Sequence, residues 1–167
     1  MAGDAGQSRS QQGREVRGDV VRWLVTEGKA DPNRADIDGR TPLLEATRER
    51  QWDVVKWLVT EGKADPNKAD TYGVTPLHIA ARSRALDVVR WLVTEGKADP
   101  NKAGFEERTP LHEAATKGGL AVVKWLVTEG KADPNKADKY GWTPQKLAVI
   151  TGGAVDVVNW LRGSRRR

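Results

Sequence analysis

The chain has 167 residues, 38% hydrophobic and 31% charged, with no cysteine, which excludes disulfides, thiol catalysis and cysteine-held zinc or iron–sulfur centres. Its formal net charge is +5, but much of that excess sits in the run Arg165, Arg166 and Arg167. The body is close to neutral with mixed signs, not the basic stripe that phosphate binding requires.

Residues 1–18 are polar and almost without apolar side chains. They are expected to be disordered, and they carry no apolar run of the kind a signal peptide needs. Nor does any later stretch reach the ~18 apolar residues of a membrane span, so the expected setting is cytoplasmic, or recombinant and soluble.

From residue 19 the chain repeats itself. VVRWLVTEGKADPN begins at Val20 and Val88, and VVKWLVTEGKADPN begins at Val54 and Val122. Trp23, Trp57, Trp91 and Trp125 recur every 34 residues, as do Thr41, Thr75, Thr109 and Thr143, each followed by proline; Trp160 comes 35 residues after Trp125. A fixed period of this length marks a solenoid. The array spans 19–162: a partial unit over 19–34, then units near 35–68, 69–102, 103–136 and 137–162, the last with one insertion between Thr143 and Asp156. A basic tail, 163–167, follows.

One unit shows the physics of all. Thr75 suits a helix N-cap, and Pro76 suits the first helical position, where its missing N–H is not needed. Leu77, Ala80 and Ala81 give a short first helix its apolar positions. After a polar link, Val88 with Leu92 and Val89 with Val93 form the stripe of a second helix beginning near Asp87. Gly96 stands where a left-handed cap is favoured, and the Asp-, Pro- and Asn-rich stretch beyond reads as an extended loop closing in a tight turn. Such a unit cannot bury its apolar face alone; stacking at least three makes a continuous core.

The string Asp70-x-x-Gly73-x-Thr75-Pro76-Leu77-His78-x-Ala80-Ala81 closely resembles the ankyrin repeat signature, as does its continuation through Asp87, Val88, Val89, Gly96, Ala98, Asp99 and Asn101. The resemblance covers about residues 19–162. It implies an all-α ankyrin-repeat solenoid of stacked antiparallel helix pairs with projecting β-turns, binding proteins through turn tips and first helices. It also implies that His78 and His112 are structural hydrogen-bonders of their turns.

Departures from that pattern are informative. A lysine (Lys29, Lys63, Lys97, Lys131) intervenes between Gly and Ala-Asp in every unit, which a bulge in the loop would accommodate. Leu44 replaces the histidine in the first full unit, and Gln145 and Lys146 replace Leu-His in the last. In the third, Gly104 and Glu107 stand where the others have Asp and Gly. A positive φ at Glu107 would cost about 1 kcal/mol unless the turn is rearranged.

Second helices and loops are nearly identical between units, whereas the turn tips and first-helix ends vary. The variable tips are Ile37, Asp38 and Arg40; Thr71, Tyr72 and Val74; Phe105, Glu106 and Arg108; Lys139, Tyr140 and Trp142. The variable helix ends include Arg48, Arg82 and Thr116. The only phenylalanine and both tyrosines fall at tips, where they add nothing to a repeat core but suit an interface, since Tyr, Trp and Arg are the usual hot-spot residues. Free drift of unconstrained turns is the competing reading. These fifteen residues are the expected partner-binding set, with Tyr72, Phe105, Tyr140 and Trp142 as anchors.

Other constellations point to structure. The helix-two tryptophans occupy equivalent places and suit packing between layers. Two histidines one layer apart make a poor metal site, and the repeated Asp65, Asp99 and Asp133 suit turn formation. No catalytic string such as GxSxG or HExxH occurs. The expectation is a monomeric protein-binding module, neither enzyme nor membrane protein, without cofactor or metal. Nucleic-acid binding through the same face and the arginine tail is one alternative, and a scaffold without a specific partner is another. Near-identical frameworks with variable tips fit a selected engineered binder or recent tandem duplication in a natural gene.

Overall fold

A computed structural model describes residues 18–164. The expectations for residues 1–17 and for Arg165, Arg166 and Arg167 lie outside them. The described residues contain helices and turns and no strand.

Helix α1 covers 18–26. Four helical pairs follow: α2 (Pro42–Arg48) with α3 (Trp52–Thr60), α4 (Pro76–Arg82) with α5 (Leu86–Thr94), α6 (Pro110–Thr116) with α7 (Leu120–Thr128), and α8 (Pro144–Ile150) with α9 (Val155–Ser164). Short links force the second helix of each pair back along the first. First helices form one row, α2 against α4, α4 against α6 and α6 against α8, and second helices another, α5 against α7 and α7 against α9. The solenoid is therefore two helical layers with turns projecting from one edge.

Each first helix starts as its sequence demands. Thr41, Thr75, Thr109 and Thr143 are extended N-caps with proline in the first turn. Leu43, Leu77 and Leu111 point into the core with no exposure, and Ala80, Ala81, Ala114 and Ala115 let neighbouring helices approach closely. In the second helices Val55, Leu58, Val89, Leu92, Val123 and Leu126 are fully buried. Trp52, Trp57, Trp91 and Trp160 pack half-buried against this core, and Trp125 is buried within it.

The ends of α1, α3, α5 and α7 depart from expectation. The left-handed residue is not glycine but the inserted lysine: φ is 54° at Lys29, 59° at Lys63, 58° at Lys97 and 57° at Lys131. Gly96 is required for a different reason, because a Cβ there would lie 2.8 Å from the Leu92 carbonyl oxygen. The bulge carries the chain far enough for the Ala98 N–H to reach that carbonyl at 2.8 Å. The ammonium groups of Lys29 and Lys63 fold back onto the carbonyls of Thr26 and Thr60 at 2.6 Å each, placing positive charge at the negative helix end.

The loops are tied across layers by asparagine. Asn67 donates from Nδ2 to the Lys97 carbonyl at 3.2 Å and accepts from the Asp99 N–H at 2.7 Å. Asn33 and Asn101 make the same clamp to the loops that follow them. Asp65, Asp99 and Asp133 accept from the N–H two residues on, at 2.8 Å each, so they form turns.

Candidate functional site: the groove between turn tips and first helices

The turns are built by an aspartate. Asp36, Asp70 and Asp138 each accept two backbone N–H groups on Oδ1: from Asp38 and Arg40, from Tyr72 and Val74, and from Tyr140 and Trp142, all at 2.8–2.9 Å. The glycine closing each turn is left-handed, with φ of 76° at Gly39, 75° at Gly73 and 74° at Gly141.

The third turn is rearranged. A Cβ on Gly104 would lie 2.9 Å from the Gly73 oxygen and 3.0 Å from Nε2 of His78, so this position has no room for the aspartate. Phe105–Glu107 forms a 3-10 turn, with φ of 58° at Glu106 and 60° at Glu107. Glu106 takes over as the local organiser. Its carboxylate accepts from the Tyr140 hydroxyl at 2.7 Å and pairs with Arg108 at 2.9 Å and Lys139 at 3.5 Å. The Tyr140 hydroxyl above all, then Arg108 and Lys139, hold this carboxyl below its usual range. Tyr140 and Glu106 together hold the Lys139 ammonium above its own. Arg108 also lies 3.5 Å from the buried carboxylate of Asp138.

In the second and third full units a histidine ties the start of the first helix to the turn of the next layer. Nε2 of His78 lies 2.9 Å from the Arg108 carbonyl, which can only accept, so the proton is on Nε2. Nδ1 then accepts from Thr75, whose N–H is at 3.2 Å and whose hydroxyl is at 2.8 Å. His112 repeats this between Thr109 and the Trp142 carbonyl. Burial lowers His78 to about 4 and lowers His112 as well, outweighing the carbonyl bond that opposes it. Both rings are neutral structural ties with no nitrogen left for a metal.

An open groove of about 550 Å³ runs between the tips and the first helices. It gathers Asp38, Arg40, Arg48, Tyr72, Val74, Arg82, Phe105, Arg108 and Thr116 from the expected set, and adds Asp70, Glu113 and Lys117. Tyr72 and Phe105 meet edge to face on its wall, 6.1 Å between centroids, and remain largely exposed.

The remaining six expected residues lie elsewhere. Ile37 projects at the first tip, 98% exposed. Thr71 donates both N–H and hydroxyl to the Asp38 carbonyl at 3.0 Å. Glu106, Lys139 and Tyr140 form the network above, and Trp142 packs on Tyr140 at 5.4 Å. Lys139 sits 4.8 Å over the Tyr140 ring and 5.8 Å over that of Phe105, so the exposed aromatics run on from the groove as one strip. Glu113 was missed because it lies inside a first helix. The repeat did carry a signal, since Glu45, Ile79, Glu113 and Leu147 share that position and differ.

Among the described residues, no helix is long and apolar enough to cross a membrane. No curated protein matches the chain. A family model described as ankyrin repeats (3 copies) matches residues 13–104 and 96–165. Such repeats are generally protein-interaction modules rather than enzymes. With its period, its capped helix pairs and its histidine-tied turns, the chain belongs to the ankyrin repeat family.

Proposed function

We propose that the array over residues 19–162 is a protein-binding module that holds a protein partner in the groove and carries out no reaction itself. The observation that carries this reading is the convergence of two solvent-facing aromatics, Tyr72 and Phe105, with Arg40, Arg48, Arg82 and Arg108 in one concavity. Large apolar rings exposed to water contribute nothing to the repeat core and become favourable only when covered. A rigid scaffold also loses little conformational entropy on association. Asp38, Val74 and Thr116 complete the contact surface; Tyr140 and Trp142, supported by Glu106 and Lys139, extend it along the tips, with Ile37 and Thr71 at the opposite end.

The test is affinity capture from cell lysate with three folded proteins: wild type, Tyr72→Ala/Phe105→Ala, and Lys124→Ala on the second-helix row. Circular dichroism establishes that all three are folded. A protein retained by wild type and Lys124→Ala but lost by the double variant is the expected result. Identical captures from all three would remove the groove as the binding surface.

A further inference from the structure

The groove's charges are unequally committed, and that inequality selects a ligand chemistry. Among the described residues Arg82 and Lys117 make no ion pair, although both line the groove. Arg40 is held only by Asp38 at 3.3 Å and Arg48 only by Glu45 at 4.0 Å, all four side chains roughly half exposed. Such exposed pairs are worth little and exchange readily for a better partner. The groove's acids are differently placed: Asp38 is shared with Arg40, and Oδ1 of Asp70 already accepts two backbone N–H groups. Among the described residues neither Asp70 nor Glu113 pairs with a cation, but Asp70 is engaged by its own turn.

Resting on the protein-binding reading above, we propose that the groove's occupant is an acidic segment of a protein partner. One apolar side chain lies against Tyr72, Val74 and Phe105, and carboxylates on either side reach Arg48 and Arg82. Guanidinium groups suit that role because their planar fork takes a carboxylate by two hydrogen bonds. Single-stranded nucleic acid fits less well. Tyr72 and Phe105 stand 78° to one another in edge contact, whereas successive bases stack on open ring faces. Asp38, Asp70 and Glu113 would also repel an unbroken phosphate chain.

A random-peptide display library selected on the full chain tests the proposal, with binding of the recovered peptides measured by fluorescence anisotropy. The expected peptides carry two or more Asp or Glu beside an aliphatic or aromatic residue. Arg82→Glu should weaken them roughly tenfold and Tyr72→Ala/Phe105→Ala should abolish binding, while Lys124→Glu, remote from the groove, leaves it unchanged. Added salt should weaken them as well. Peptides that need Tyr72 and Phe105 but are neutral or basic, or acidic peptides indifferent to Arg82→Glu, overturn the acidic assignment and leave the protein-binding reading standing. Recovery of no peptide sensitive to any groove substitution overturns both. An oligo-dT probe that binds the groove more tightly than every peptide overturns the choice of peptide over nucleic acid.

Discussion

Glu107 adopts a φ of 60° where Gly39, Gly73 and Gly141 close the other three turns. A side chain in the left-handed region is strained by roughly 1–2 kcal/mol, partly offset by the extra freedom glycine would have in the unfolded chain. Glu107→Gly should therefore stabilise the protein by about 0.5–1 kcal/mol, read as a higher urea midpoint at unchanged slope. An unchanged or lower midpoint would mean that the Glu106 network, not the backbone, governs this turn. His78 makes a second prediction at this scale. The folded protein keeps the ring neutral until about pH 4, while the unfolded chain takes up its proton near 6.5. Stability is thus whole above pH 6.5 and falls by on the order of 3 kcal/mol down to pH 4. His78→Leu, which copies the buried Leu44 of the first full unit, should start about 1–3 kcal/mol lower at pH 7 because it orphans the Arg108 carbonyl. It should then decline less steeply with acid, the residual slope coming from His112. Equal slopes in urea titrations of the two proteins would contradict this. The misplaced helix cap belongs here too. A glycine can be required by a close approach or by positive φ, and Gly96 followed by Lys97 looks the same in sequence either way; only the backbone path separates the two demands.

At the scale of elements, the Asn33, Asn67 and Asn101 clamps join each loop to the next, so their worth depends on having a next loop. Asn135 occupies the same position in the last loop and, among the described residues, its side chain clamps nothing. Asn67→Ala and Asn101→Ala should each cost about 1–2 kcal/mol, and Asn135→Ala close to nothing, by chemical denaturation. Equal losses at all three would show that the asparagine acts within its own loop. The helices themselves were legible because each local signal agreed with the period: threonine and proline at the start, paired valines and leucines along the stripe. The tips were legible less fully. Equivalent positions in adjacent units lie one layer apart, and the period does put Glu106 and Tyr140, 34 residues apart, in such positions. The loss of the turn-forming aspartate at Gly104 was legible too, but not the 3-10 turn over Phe105–Glu107 that goes with it. That turn brings the Glu106 carboxylate under the Tyr140 hydroxyl and into a pair with Arg108.

For the whole molecule, an array of this kind is as stable as its interfaces, because each unit contacts only its neighbours. Helix α1 is the weak end. Leu24 is 43% exposed, whereas Leu58 and Leu92 in the same register are completely buried, and Val20 is 51% exposed against 5% for Val54. Leu58 and Val54 are covered in their own unit by the first helix α2. In the stretch that aligns with it before α1, residues 7–17, Val16 is the one aliphatic residue. Local opening should therefore begin at α1, and its amides should exchange far faster than those of α5, which is enclosed between two complete pairs. Replacing residues 7–17 with a copy of residues 75–85 would supply the leucine and alanines that Leu24 and Val20 lack. The replacement should slow exchange in α1 and raise the thermal midpoint by several degrees, while leaving α5 little changed. If α1 already exchanges as slowly as α5, or stays fast after the replacement, its stability is not set by the apolar content of the segment before it, and the nearest-neighbour account of this solenoid fails at its first interface.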